Sequence, residues 1–374
     1  MNLSWRQAAY FAAALGMLAG AVAPLSSAPT VTLFARPELM AATLLTAVLY
    51  VAAAALGRWP AVGASFAGVL LGCAITLALL QDPTVAGTAA SGFWLLVVAN
   101  WGAAWLGVAG LAAIRTRERA LLTAIDLTIP VLFGAFVFYL WEVAVRGFGV
   151  PTVLFPAPSL IAVRFFSSLW MLWQDFFQTF VLGVLTGYAI GCSAGFIVAV
   201  IAHRYTFLGR GLLPLGNFVS ALPIVGIAPI MVMWFGFDWP SKAAVVVVIT
   251  FFPMLVNTLA GLDAAGHVER DLMRSYGAGH RQTLQKLCLP AAMPFIFNAL
   301  KINSTLAFIG AIVAEFFGTP TLGIGFRISI EAGRMALDMV WAEIALAAIV
   351  GMAFYGLVAL AERATTFWHP SLRT

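Results

Sequence analysis

Residues that could do chemistry are few in this sequence, and most of them lie in two stretches of its second half. The polar segment 263–290 separates two apolar runs and carries a carboxylate, Asp271, close to two arginines. The apolar run 291–317 contains amides and charges, namely Asn298, Lys301, Asn303 and Glu315. Such side chains are costly in a bilayer and usually face the interior of a helix bundle. The first stretch is therefore a candidate docking surface and the second a candidate solute pathway.

Catalytic and metal-binding patterns give no support for an enzyme. The dipeptide Gly-Lys never occurs, so the chain has no phosphate-binding loop of the G-x-x-x-x-G-K-[ST] type, and H-E-x-x-H is absent. The cysteines are isolated and the histidines are scattered over loops and the tail, without the spacing of metal ligands. We expect no catalytic residues and no bound metal or cofactor in this chain.

The composition indicates a protein that crosses a membrane many times. Of 374 residues, 62% are hydrophobic and 9% are charged, against about half and about a quarter in soluble proteins. These values exclude a soluble globular enzyme, a disordered chain and a small disulfide-stapled module. The remaining positions suffice for short loops but for no large soluble domain.

Ten apolar runs are long enough to be spanning helices of about 20 residues. They lie at 6–24, 39–57, 61–80, 92–114, 121–144, 176–201, 213–236, 242–262, 291–317 and 340–361. They are rich in Ala, Leu and Gly and lack the strict alternation of barrel strands. The predicted fold class is all-α, a polytopic membrane helix bundle of about ten spans.

Lysines and arginines predict the orientation of the spans. If the N-terminus is cytoplasmic, the inside segments hold roughly twice as many of these residues as the outside segments, as the positive-inside rule requires. Both termini are then cytoplasmic. The net charge of +5 is explained by this topology, so no nucleic-acid partner is expected. An alternative for the first run is a signal peptide cleaved near Ser26-Ser27-Ala28.

A domain boundary is predicted near residue 120. The stretch Arg115–Arg119 is the densest charge cluster, and the four helices before it have short loops and little polar content. We therefore expect an N-terminal membrane extension at 1–120, of unknown role, and a second domain at 121–374.

The segment 263–290 has the pattern of two short surface helices around a glycine. Asp271, Leu272, Met273 and Tyr276 fall at helical spacing, and Gly277 suits a left-handed helix C-cap. A second amphipathic piece contains Leu284 and Leu287, and Pro290 is expected to end it and to start the ninth span. Such an element could dock a partner. The alternative is a solvated loop lying on the lipid headgroups.

This segment resembles the EAA loop of ABC importer permeases, whose pattern is E-A-A, three residues, Gly, nine residues and Ile-x-Leu-Pro. Here Asp271-Leu272-Met273 stands for E-A-A, Gly277 follows after three residues, and nine residues later comes Leu287-Cys288-Leu289-Pro290. Asp replaces Glu, Leu-Met replaces Ala-Ala, and Leu replaces Ile. In the family this loop inserts into a groove of a separate ATPase subunit.

The resemblance covers about 125–374 and is nearest to the nitrate/sulfonate/taurine branch of binding-protein-dependent permeases, which includes importers of pyrimidine and vitamin precursors. Supporting pieces, in order, are Phe155–Ser159, Leu222–Pro229, Trp234–Gly236, Ser241-Lys242, Phe251–Pro253, Pro290–Pro294, Ala314–Phe316 and Leu322–Gly325.

The resemblance implies a six-span permease core in a bacterial inner membrane, with an ATPase subunit that binds ATP and Mg, an extracytoplasmic substrate-binding protein, a second permease copy or homologue, and membrane lipid as partners. The four preceding helices lie outside it.

Candidate pathway residues are Pro223 and Pro229 in the seventh span and Asn298, Lys301 and Asn303 in the ninth. Prolines free backbone carbonyls, which a bilayer tolerates only against protein or a wet cavity. The alternatives are a kink packed by neighbours and, for Lys301, snorkelling or pairing with a carboxylate. Glu315 resembles a structural position of the family near the outer surface.

Four glycines in the sixth span recur every fourth residue and predict a smooth face for close helix packing. They are Gly183, Gly187, Gly191 and Gly195.

A different class of function remains open from the residues alone. A secondary transporter driven by an ion gradient would need inverted repeats and buried carboxylates at mid-membrane. Neither is evident in the sequence.

Overall fold

The computed structural model describes residues 5–27, 31–114, 116–220, 222–318 and 322–368. Within these ranges the protein is helical and has no β-strand, which confirms the predicted all-α class. Ala28 of the candidate cleavage site, Arg115 of the charge cluster and His369 lie outside the described residues.

The chain forms two compact units, Met1–Ile161 and Ala162–Thr374. The helix Arg119–Gly147 and the start of the helix Pro158–Ser167 therefore belong to the N-terminal unit. The functional division at 120 stays a prediction.

The N-terminal unit is built mainly from five long helices. They are α1 Trp5–Val22, α2 Pro37–Ala55, α3 Arg58–Leu79, α4 Ser91–Ala112 and α5 Arg119–Gly147, followed by the start of α6 Pro158–Ser167. A polar contact lies within this apolar unit. The Tyr50 hydroxyl donates to Asn100 Oδ1 at 2.6 Å, and Asn100 Nδ2 lies 3.2 Å from Cys73 Sγ. Gly72 leaves the space for this amide, since a Cβ there would lie 2.2 Å from Asn100 Oδ1.

The described part of the C-terminal unit contains ten further α-helices. They are α7 Leu169–Phe176, α8 Thr186–Arg204, α9 Thr206–Ser220, α10 Ile224–Phe235, α11 Trp239–Asp263, α12 His267–Ser275, α13 His280–Thr283, α14 Leu289–Glu315, α15 Ile324–Gly333 and α16 Leu337–Thr365. π-Helical turns at Phe177–Leu185 and Leu284–Cys288 join α7 to α8 and α13 to α14.

The glycine face of α8 packs against α11, as the four-residue spacing predicts. A Cβ on Gly187 would lie 2.6 Å from the carbonyl oxygen of Ala243, and one on Gly195 would lie 2.5 Å from that of Phe251. These neighbours are backbone atoms, so the helices could not be this close with any larger residue. Gly191–Gly195 also matches the hydrolase pattern G-x-S-x-G, but it lies inside a helix and not on a strand-to-helix turn.

Eight helical segments of the described residues are long and apolar enough to cross a membrane. They are Pro37–Ala55, Trp59–Leu79, Ser91–Ala112, Arg119–Gly147, Leu169–Arg204, Trp239–Asp263, His280–Glu315 and Leu337–Thr365. They correspond to eight of the ten predicted spans. The α1 helix is not among them.

The predicted seventh span is not one helix. It is divided into α9 and α10, and Pro223 stands at the N-cap of α10 with extended backbone, φ −69° and ψ 125°. Proline disfavours helical geometry in the residue before it, here Leu222. The proline interrupts this span rather than kinking it.

Candidate functional site

The α12 helix presents an apolar stripe that no part of the described chain covers. Val268, Leu272 and Tyr276 follow each other at four-residue spacing and are 79%, 56% and 82% exposed. Side chains four residues apart share one face of a helix, and no residue of α12 is buried. Asp271 is exposed beside the stripe and pairs with Arg274 at 3.3 Å. An exposed apolar stripe on a polar surface helix is typical of a docking site.

The opposite face of α12 is held to the C-terminal end of α11 by Arg270. Its Nε donates to the carbonyl of Ala265 at 3.1 Å, and its Nη2 donates to that of Leu262 at 2.8 Å. A guanidinium is favoured there because the last carbonyls of a helix lack intrahelical donors and carry partial negative charge. Asp263 lies 3.7 Å from Arg270 and 3.2 Å from His203 at the end of α8. The base of the loop is thus fixed to two helices.

Gly277 ends α12 with left-handed backbone at φ +70°, as predicted. The amide of Ala278 donates to the carbonyl of Met273 at 3.0 Å, and the amide of Gly277 donates to that of Arg274 at 2.9 Å. This pair of bonds is the Schellman motif, which satisfies carbonyls at a helix end. Met273, predicted with the apolar face, is half-buried.

The chain after Gly279 differs from the prediction at Pro290. Helix is continuous from His280 to Glu315, so Pro290 does not end the second amphipathic piece. In the π-helical turn the amide of Leu289 donates to the carbonyl of Leu284, and Pro290 follows this turn at the start of α14. Leu287 and Leu289 are half-buried against the base of the loop.

This continuous helix has 36 residues and is ~54 Å long at 1.5 Å per residue. A hydrocarbon core of ~30 Å cannot contain it, so its polar first turns lie outside.

A polar cavity of about 630 Å³ lies behind the loop, between α8, α9, α11, α12 and α13. Its wall contains Arg204, Arg210, Arg270, Arg274, His203, His280 and one carboxylate, Asp263. Partial desolvation at this wall lowers the pKa of His280, and the charges of Arg204 and His203 lower it further. The cavity is therefore electropositive.

None of the five candidate pathway residues lines the polar cavity behind the loop. Pro223 is exposed and Pro229 is half-buried. Asn298 is exposed on α14, where its Nδ2 lies 3.4 Å from Asn257 Oδ1. Asn303 is buried instead.

Asn303 joins α14 to two neighbouring helices. Its Nδ2 donates to the carbonyl of Thr250 at 2.8 Å and lies 3.2 Å from Cys192 Sγ. These contacts are those of a packing residue between α14, α11 and α8.

Lys301 forms an ion pair with Glu362 of α16, with Nζ 2.7 Å from Oε2. Both side chains are largely buried, at 21% and 15% exposure. Of the alternatives left open by the sequence, this geometry favours pairing with a carboxylate. The partner is 61 positions away in the sequence, so spacing gave no signal for it.

Buried carboxylates lie at the other end of α14; the sequence singled out Glu315 but not its neighbours Asp175 and Glu343. Glu315 accepts hydrogen bonds from the Thr179 hydroxyl at 2.8 Å and from the Gly325 amide at 2.7 Å. Asp175 accepts from the Gly323 amide at 2.6 Å and from Arg327 at 2.8 Å. These bonds fix the chain around Gly323–Gly325, which agrees with a structural role for Glu315.

Glu343 of α16 completes this cluster. It is fully buried, interacts with Asp175, and neither of its oxygens has a hydrogen-bond donor among the described residues.

Comparison with known proteins assigns most of the C-terminal unit to a family of transport proteins. The model of the family "Binding-protein-dependent transport system inner membrane component" matches residues 187–373, half of the chain. The riboflavin transport system permease protein RibX of Chloroflexus aurantiacus is 28% identical over 260 residues, which are 69% of this chain and 95% of RibX.

Two further relatives import different solutes, as their names state. The formylaminopyrimidine transport permease protein ThiX of Halalkalibacterium halodurans is 32% identical over 53% of this chain and 78% of ThiX. The taurine transport system permease protein TauC of Escherichia coli is 31% identical over 50% of this chain and 64% of TauC. The chain therefore belongs to the family of binding-protein-dependent transport system inner membrane components, and it is a transmembrane permease of an ABC importer.

Proposed function

We propose that the segment 263–290 couples this permease to a separate ABC ATPase subunit. The observation that carries the proposal is the exposed stripe of Val268, Leu272 and Tyr276 on a helix whose other face is fixed by Arg270. A stripe of large apolar side chains supplies anchors for a groove. ATP and Mg bind to the ATPase partner, and this chain itself binds no cofactor and catalyses no reaction.

The coupling loop faces the cytoplasm, and both termini lie on the same side of a bacterial inner membrane. Ten crossings result if α1 forms one and the interrupted pair α9 and α10 together form another. The excess of arginines in the inside segments supports this orientation. The helices of residues 1–120 form an extension that lies outside the region matched by the family model.

Transport proceeds by alternating access between two permease subunits, this chain and a second copy or a homologue. A binding protein loaded with solute docks on the outer face, which includes the segment 145–175. Closure of the ATPase pair moves the coupling loop and opens the bundle outward, and hydrolysis resets it. The face of α14 that carries Asn298 and Thr305 is exposed and forms part of the pathway wall.

The solute is small and arrives on the binding protein. The branch to which the relatives belong includes permeases for taurine, aliphatic sulfonates, bicarbonate, riboflavin and formylaminopyrimidine. Lys301 is neutralised by Glu362, so it does not by itself select an anion.

A pull-down of the tagged protein from its native membrane tests the coupling role. A co-purifying ATPase is expected with the wild type. Leu272→Asp and Asp271→Lys should reduce its yield, because the first charges the apolar stripe and the second reverses the charge beside it. Gln285→Asp is the matched control, since it changes the charge of an exposed residue in the same segment but off α12. Undiminished ATPase recovery with both α12 variants would contradict the assignment.

A further inference from the structure

The cavity behind the coupling loop has an excess of positive charge that the described residues do not balance. The one carboxylate among its described lining residues, Asp263, is already engaged with His203 and Arg270. Arg204 and Arg210 form no ion pair with any described residue. Guanidinium groups that converge on a concave site favour phosphate, which they can bind through two hydrogen bonds each.

The position of the cavity adds a second observation. It lies where α8 ends and α9 begins, and Tyr205 and Phe207 between Arg204 and Arg210 are 60% and 86% exposed. Aromatic residues next to arginines at the ends of spanning helices are typical of the level of the lipid headgroups. The volume of about 630 Å³ lies within the range of small-molecule sites.

We infer that this cavity is a binding site for a phosphate group, and that the group belongs to the headgroup of an anionic phospholipid of the adjacent leaflet. Arg204 and Arg210 bind the phosphate, while Tyr205 and Phe207 contact the acyl chains. Basic pockets between spanning helices on the cytoplasmic side bind such headgroups in other membrane proteins. The site is separate from the α12 stripe and needs no ATPase subunit, so it goes beyond the proposed coupling function.

The test uses the purified full-length chain in detergent without an ATPase. Native mass spectrometry measures the binding of phosphatidylglycerol, with phosphatidylcholine as the neutral reference, to the wild type and to the double variant Arg204→Gln/Arg210→Gln. We expect an apparent Kd for phosphatidylglycerol on the order of 30-fold higher in the double variant, from about fivefold per arginine. The control Arg363→Gln removes an exposed arginine elsewhere and should change the Kd less than about twofold.

Two further measurements address the source of the phosphate and a folding defect in turn: the first distinguishes a lipid from a soluble anion, and the second distinguishes loss of charge from misfolding. Inorganic phosphate is added in a thermal-unfolding assay; no shift of Tm is expected if the ligand is a lipid. A shift that the double variant loses, without preference for phosphatidylglycerol, would overturn the lipid source and assign a soluble anion instead. The double variant Arg204→Lys/Arg210→Lys keeps both charges and should retain most of the lipid binding. Equal phosphatidylglycerol binding by the wild type and the Gln variant, with no phosphate effect, would overturn the site altogether.

Discussion

Replacing Gly277 by alanine should weaken coupling through the backbone alone. Gly277 has φ +70°, and a Cβ built on it would meet no atom within 4 Å. No steric clash therefore contributes to the effect. Left-handed backbone is less stable by about 1–2 kcal/mol in a residue with a Cβ than in glycine. The substitution therefore destabilises the conformation in which α12 ends at its Schellman motif.

This cost predicts the size of the effect. A free-energy penalty of about 1–2 kcal/mol lowers the population of the native loop by roughly 5- to 30-fold relative to conformations without left-handed backbone. If only the native loop docks, the apparent Kd for the ATPase rises by up to this factor. Gly277→Asn should lie between glycine and alanine, because Asn visits left-handed backbone more readily.

The chain offers a matched control two residues away. Gly279 has φ −71° and also open space around a built Cβ, so Gly279→Ala introduces the same methyl group without backbone strain. The assay is the affinity of purified ATPase for the permease in nanodiscs, together with uptake in cells at equal expression. Equal affinities of the Gly277→Ala and Gly279→Ala variants would refute the claim that the left-handed turn determines docking.

Two stability predictions concern the interior of the permease unit. Gly191→Ala should lower Tm, because its Cβ would lie 2.1 Å from Thr250 Oγ1 and 2.9 Å from a backbone carbonyl, and such overpacking costs about 1–3 kcal/mol. Gly351 has open space around a built Cβ, so the control Gly351→Ala should leave Tm unchanged. Equal Tm values for the two variants would contradict close packing at Gly191. Glu343→Gln should leave Tm unchanged or raise it, since the new amide can donate to Asp175. Asp175→Asn should lower the free energy of unfolding by about 2 kcal/mol or more, because a buried guanidinium and a buried amide lose their carboxylate. A greater destabilisation by Glu343→Gln than by Asp175→Asn would show that the charge of Glu343 is required.

Local features of the site were predictable from the sequence, and contacts over long separations were not. Gly277 and the stripe on α12 follow from spacing within one helix and its cap. The anchor of that helix depends on Arg270 meeting carbonyls of α11, which no local pattern distinguishes from a solvated arginine. Asp175 and Glu343 are 168 positions apart, so their contact exists only in the folded unit. The prediction of a single helix at 213–236 was also wrong, because the sequence stays apolar on both sides of the break at Pro223.

If segment 263–290 couples the permease to an ATPase as proposed, the contacts of α11 give a route from this segment to the rest of the bundle. Arg270 ties α12 to the last carbonyls of α11, so a force on α12 acts on α11 directly. Along its length α11 packs against the glycine face of α8, where a Cβ on Gly187 or Gly195 would overlap its backbone, and Asn303 of α14 donates to its Thr250 carbonyl. Close-packed helices of this kind resist local deformation. The three helices should therefore shift together as a body, and the interrupted pair α9 and α10, with its break at Pro223, is the element best able to bend between the two states.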